Sequence, residues 1–201
     1  MKLFITKCFA AFSVMFVIAL CSCIYSCTAS DILKTYNMKN CEYSYKSITT
    51  VTISGINVSN GISVLDASKI LLLLTTQQSS IPLSFLLTLN VRNPNNSEAA
   101  FRGIMYKINI DGIDFTEGSV DEPFSVASGE TKPLSIKIGT DVAEVIKKHS
   151  RDTVINMVKN FIGMGSDKTK IHVELKPKFI VGTQIVTSPV VFPVDFTFGG
   201  K

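Results

Sequence analysis

The chain contains no tryptophan and two histidines in 201 residues, and only 18% of its residues are charged. Each scarcity removes a class of function. Without tryptophan, and with the phenylalanines on the inward phases of the strand pattern, there is no interleaved basic and aromatic surface for stacking on single-stranded nucleic acid. A net charge of +4 is too small for a phosphate-backbone footprint, so no nucleic-acid partner is expected. The histidines, His149 and His172, and the five cysteines, Cys8, Cys21, Cys23, Cys27 and Cys41, do not show the paired spacing of a zinc site. Asp111, Asp114 and Glu117 do not match a calcium loop and read as a solvated turn. There is no G-x-S-x-G, and Gly163-Met164-Gly165-Ser166 lacks the Lys-Ser/Thr ending of a phosphate loop; it reads as a helix stop. The expectation is a chain that is not an enzyme, with no cofactor, no metal and no catalytic residues. Low-complexity tracts, charge blocks and long Pro/Gly/Ser linkers are also missing, which favours one folded domain.

What is present is concentrated at the start. Lys2 and Lys7 precede an apolar run from Cys8 to Leu20, and closely spaced cysteines follow. A short basic start ahead of about 7–15 apolar residues reads as an export signal, whereas a membrane-spanning helix needs about 20. Leu20-Cys21-Ser22-Cys23 resembles a bacterial lipobox, in which a leucine and small residues precede a cysteine that is diacylated and becomes the mature N-terminus. Cys23 is the expected lipidation site. Cys27 is the alternative, with a bulky Tyr25 where a small residue is preferred. Acyl chains anchor because each buried methylene contributes about 0.8 kcal/mol. This gives a signal peptide over residues 1–22, a tether with a short helix over 23–42, and a folded domain over 43–201. The expected location is the bacterial cell envelope, lipid-anchored at the outer membrane on its periplasmic face or at the surface. The expected partners are the membrane, through the acyl chains, and an envelope protein or glycan. The folded part is large enough to bury about 70% of its unfolded surface without a disulfide framework. Cys41 then reads as a small buried hydrophobe, with a Cys27–Cys41 bridge as the alternative.

Along the chain, Ser30-Asp31 can cap a short helix through Leu33 and Tyr36. Tyr43 to Val58 suits a strand, ended by an Asn60-Gly61 turn. Ser63, with Asp66 three residues on, reads as a cap for a helix through Ile70 and Leu74. The run Leu71 to Leu74 is apolar all round, which predicts a well-covered helix. From Leu83 the period becomes two, with Phe85, Leu87, Leu89 and Val91 on one face. Asn93-Pro94 ends that strand, since proline cannot donate to a ladder. Ile104 to Ile110 and Ile113 to Phe115 flank Asp111-Gly112, the pair that best supports a type I′ hairpin. Leu134, Ile136 and Ile138 mark another strand, after a turn at Ser128-Gly129. Residues 141–162 show helical spacing in two short helices. Ile171 to Leu175, Phe179 to Val181 and Phe192 to Phe198 close the chain as two or three strands. The pattern is mostly β: an immunoglobulin- or fibronectin-like antiparallel β-sandwich with two or three added short helices.

The stretch Leu87-Thr88-Leu89-Asn90-Val91-Arg92-Asn93-Pro94-Asn95 resembles the strand and Asn-Pro signature of the late embryogenesis abundant group 2 family, also called the WHy domain. The likeness continues through Arg102-Gly103, Asp111-Gly112, Gly118 to Pro123 and Ser128-Gly129-Glu130, and on to the closing strand at Phe198. It implies a non-catalytic sandwich, exported as a lipoprotein in bacterial versions, with a stress-related role. Sandwiches present function on their end loops, so the loops 93–102 and 116–130 are candidate contact surfaces. Asn93, Asn95 and Asn96 form the candidate contact loop. The alternative function is a periplasmic carrier of a lipid or other apolar ligand, with the Leu71–Leu74 helix and the Phe-rich final strand lining a cavity.

Overall fold

The computed structural model describes residues 33–181 and 184–199. The expected signal peptide, Cys23 and Cys27 lie outside the described residues. Helix α1 covers residues 33–38 and leads into β1 (Glu42–Ile53) and β2 (Ile56–Asn57). Helix α2 (Val64–Thr75) precedes β3 (Pro82–Arg92), β4 (Ala99–Phe101), β5 (Gly103–Ile110), β6 (Ile113–Val120), β7 (Phe124–Val126) and β8 (Thr131–Asp141). Helices α3 (Val142–Lys148) and α4 (Arg151–Phe161) follow, and β9 (Thr169–Val181), β10 (Gln184–Thr187) and β11 (Phe192–Phe198) complete the fold.

One sheet has the order β2-β1-β3-β8; the other runs β10-β9-β5-β6, with β11 also paired to β9. A third, two-stranded ribbon joins β4 to β7. All the described pairings are antiparallel. The period-two alternation of β3 buries Phe85, Leu87, Leu89 and Val91, and the same alternation buries Ile136 and Ile138 on β8 beside it. Ile104, Ile108 and Ile110 on β5, with Ile171, Val173 and Leu175 on β9, supply the opposite wall. Each side chain removed from water this completely contributes about 1.5–3 kcal/mol. Phe161 of α4 closes one end, its ring 5.0 Å from Phe85 and 5.2 Å from Phe198. The Asp111-Gly112 hairpin forms with both residues at positive φ, 51° and 83°, as a type I′ turn requires.

The two sheets meet along both margins through side chains. On one margin Tyr43 stacks on Phe192 at 5.2 Å and Tyr45 on Phe196 at 4.2 Å, joining β1 to β11. On the other, the Thr116 hydroxyl donates to the Gly139 carbonyl (3.1 Å) and the Thr140 hydroxyl to the Phe115 carbonyl (3.2 Å), joining β6 to β8. Strand β3, eleven residues long, spans roughly 36 Å from pole to pole. Helices α2, α3 and α4 sit at its Pro82 end. Helix α1, the Asn93 loop, the β4–β7 ribbon and the β9–β10 hairpin sit at its Arg92 end.

Several elements differ from the sequence reading. Tyr43 to Val58 is a hairpin, because Ser54 and Gly55 both take positive φ, 46° and 81°. The closing segment is one long β9 plus two short strands. Strand β9 runs through Pro177 because the Pro177 carbonyl accepts from the Ser188 N–H (2.7 Å). In an antiparallel ladder the N and carbonyl of one residue point the same way, so the missing N–H is not on the β5 side. The expected loop 116–130 is largely strand, since β6 reaches Val120 and β7 follows. Helix α2 is not well covered: only Ile70 and Leu74 are buried, while Val64, Leu65, Leu71 and Leu72 are 84%, 73%, 42% and 62% exposed. It lies over one pole, and none of the described residues form a second layer outside it. Among the described residues no helix is long and apolar enough to cross a membrane.

Candidate functional site

Proline at position 94 pushes Asn93 to extended geometry, which aims its side chain back into the Arg92 pole. Asn93 is fully buried. Its amide donates to the carbonyls of Ser97 (2.9 Å), Val126 (3.0 Å) and Ala127 (3.2 Å). Its side-chain oxygen accepts from the Asn95 N–H (3.0 Å) and the Asn95 amide (2.6 Å). The Asn93 backbone is committed as well, donating to the Glu130 carbonyl and accepting from Gly129 N–H. One residue thereby fixes the loop after β3, the end of β7 and the turn before β8.

The remaining asparagines hold the N-terminal helix. The Asn95 amide also donates to the Asn37 carbonyl (2.9 Å), and its oxygen accepts from the Asn40 amide (3.1 Å). The Asn37 amide donates to the Ser97 hydroxyl (2.8 Å) and the Glu98 carbonyl (2.9 Å). Lys34 pairs with Glu98 at 2.8 Å. The Lys34 ammonium, followed by the Ser125 hydroxyl, holds the Glu98 carboxyl below its ordinary range. Of the three residues expected to contact a partner, the structure gives Asn93 to the core and Asn95 to α1; Asn96 alone is exposed.

Beside α1 lies an open groove of about 280 Å³. Its floor is the stacked pair Phe101 and Phe124, with ring centroids 5.3 Å apart. The Lys132 ammonium stands 5.3 Å from the Phe124 centroid and donates to the Ser125 carbonyl (2.9 Å), a cation–π arrangement. Arg102, exposed, reaches its rim. Sequence reasoning missed this group, because three-residue strands such as β4 and β7 are too short to show a period. The spacing of Phe101-Arg102 and Phe124 on either side of the Asp111-Gly112 hairpin is the only signal that pointed there.

The chemically reactive residues are placed apart. His172 Nδ1 lies 2.7 Å from Asp195 Oδ1, and its Nε2 3.7 Å from Glu174, on the outer face of β9. His149 is the C-cap of α3. Cys41 is a buried free thiol, pushed up to about 11 by burial and then by the neighbouring Glu42 charge. No three His, Cys, Asp or Glu side chains among the described residues are grouped to hold a metal ion. The elements expected to line an apolar cavity are used otherwise: the Phe192 and Phe196 rings stack on β1, and Leu71 and Leu72 face solvent.

The described residues form a small antiparallel β-rich sandwich with helix α1 docked at one pole beside a groove. A family model described as late embryogenesis abundant protein, LEA_2, matches residues 88–195, more than half of the sequence, and the chain belongs to that family. Among solved structures it is similar to a protein from Archaeoglobus fulgidus at 18% identity, covering 79% of this chain and 98% of that one, TM-score 0.39. It is also similar to a protein from Arabidopsis thaliana at 11% identity, covering 78% and 81%, TM-score 0.43. A late embryogenesis abundant protein solved in solution shares 14% identity over 92% and 88% of the two chains, TM-score 0.38. No curated protein matches the chain. Membership of the family fits a stress-related, non-catalytic role.

Proposed function

We propose that this protein is a non-catalytic binding or scaffolding module of the bacterial cell envelope, anchored by acyl chains on Cys23, with Cys27 as the alternative acceptor. The observation that carries the reading is the docking of α1. Lys34, Asn37 and Asn40, inside the expected tether and helix segment 23–42, are bonded to Glu98, Ser97 and Asn95. A tether entering through α1 therefore meets the body at one pole, beside the groove of Phe101, Phe124, Lys132 and Arg102. That groove presents the cations of Lys132 and Arg102, above a buried aromatic pair, to an acidic envelope protein or glycan. Membership of the family supports a stress-related role for this module.

Radiolabelled palmitate fed to cells making the full chain tests the anchor. Label is expected in the wild-type protein and is lost in Cys23→Ser, whose apolar run from Cys8 to Leu20 can still hold the unlabelled chain to the membrane. Label that survives Cys23→Ser but not Cys27→Ser moves the acceptor to Cys27. An unlabelled, freely soluble wild-type protein defeats the proposal.

A further inference from the structure

The geometry points to a lipid-contact surface on α2, at the pole opposite α1. At about 100° per residue, Val64, Leu65, Ser68, Leu71, Leu72 and Thr75 fall within one arc of roughly 120°. This is the arc turned away from buried Ile70 and Leu74. Its four aliphatic side chains are the exposed ones. Its two hydroxyls are not free: Ser68 donates to the Val64 carbonyl (2.9 Å) and Thr75 to the Leu71 carbonyl (2.8 Å). Back-bonding of this kind removes the hydroxyl's demand for an outside partner. The charged residues stand off the arc: Asp66 is held by Ser63 (2.7 Å) and Lys69 (3.3 Å), and Lys69 is placed to extend sideways to a headgroup.

The occupant follows from what this face cannot do. A protein interface carries about one hydrogen bond per 100–200 Å² and a polar rim that sets register; this arc has no free side-chain donor to offer, and its only acceptors are the two back-bonded hydroxyl oxygens. A twelve-residue helix presents a strip only about 18 Å long. On its own that falls well short of the roughly 800 Å² per partner of a stable dimer. The acyl–headgroup boundary of a bilayer asks for neither register nor area and takes an apolar helix face directly. The inference stands whether or not Cys23 is acylated.

Because the chain has no tryptophan, Leu72→Trp introduces one indole that reports on α2 alone. The apolar run from Cys8 to Leu20 can carry the full, unacylated chain to vesicles by itself, so binding is not the readout. With vesicles containing dibrominated phosphatidylethanolamine and phosphatidylglycerol, the Leu72→Trp indole is expected to shift to the blue and to be quenched at least twofold. Quenching is expected to disappear when Leu65→Gln and Leu71→Gln are added, with the far-ultraviolet circular dichroism unchanged. Lys137→Trp, on the solvent face of β8, is expected to remain unquenched. A water-like, unquenched indole in vesicle-bound protein overturns the inference. So does an indole already shielded without lipid, which marks a second copy if dilution exposes it and the chain's own leader if deletion of residues 1–22 does.

Discussion

Replacing Asn93 by alanine tests the central structural argument. Asn93→Ala removes three donated contacts and two accepted ones. The Val126 carbonyl belongs to a fully buried residue and loses its side-chain partner without access to water. An unsatisfied buried carbonyl costs about 1–3 kcal/mol, and each hydrogen bond lost at the wetter Ser97, Ala127 and Asn95 groups costs about 0.5–1.5 kcal/mol. The straight sum is about 3–9 kcal/mol, and because losses within one loop are not additive the expected total is its lower part, about 3–5 kcal/mol. For a domain of this size that lowers the melting temperature by roughly 6–20 °C. Urea unfolding followed by circular dichroism measures it, with the m-value as the check on two-state behaviour. Asn95→Ala is the comparison: its contacts are partly exposed, so it should cost about 1–2 kcal/mol and expose α1 to limited proteolysis before the sandwich. Asn93→Asp sharpens the test, since it faces three carbonyls with a carboxylate. Such a carboxyl titrates higher in the folded than in the unfolded chain, so its variant loses stability as pH rises from 4 to 7. An Asn93→Ala variant within about 1 kcal/mol of wild type at unchanged m refutes the account of this loop.

Three further outcomes are expected. Arg151 Nη1 donates to the Leu74 and Thr76 carbonyls (3.1 and 3.2 Å) and supplies the cation that the last turn of α2 lacks; Arg151→Met should cost about 1–2 kcal/mol and speed amide exchange at the end of α2. Burial raises the Asp141 carboxyl, but the Ile81 N–H, the Ser80 hydroxyl and the Ala143 N–H outweigh it, and the net shift is below the ordinary 3.8. A lowered folded value means stability fully present above the unfolded value and lost as pH falls from there through the folded one, so Asp141→Asn should flatten the acid limb of a melting-temperature profile below pH 4. The Thr169 hydroxyl is buried with no hydrogen-bond partner among the described residues, so Thr169→Val should raise stability by about 1 kcal/mol, read by urea unfolding.

How far the sequence discloses this molecule depends on the range of the interactions involved. The β3 alternation, the Asp111-Gly112 hairpin and the Ser63 cap are local signals, and each appears in the structure; the cap forms with the Ser63 hydroxyl accepting from Asp66 N–H at 3.1 Å. The division of α2 into a covered and an uncovered side is not local. Leu71 to Leu74 are equally apolar, yet only Leu74 of the four is buried, and a side-chain anchor of that end of the helix, Arg151, lies far along the chain. The Asn93 loop was visible as a motif, but its partners lie some thirty to sixty residues away, on β7 and α1. Distance in sequence turned an expected outward contact into an inward one. Strand β10, four residues with every side chain exposed, has no periodicity to read.

The joints between the sheets have a consequence for crowding. Along the β6 and β8 margin, the carbonyls of Phe115 and Gly139 accept hydroxyls from the same molecule, while Tyr43 and Tyr45 shield the β1 margin. A neighbouring copy finds few vacant acceptors there on which to start a shared ladder, which is how ordered aggregates begin. As water is withdrawn and protein molecules are forced together, these margins resist fibre growth, and among the described residues short edges such as β10 and β2 are left as the places where it would begin.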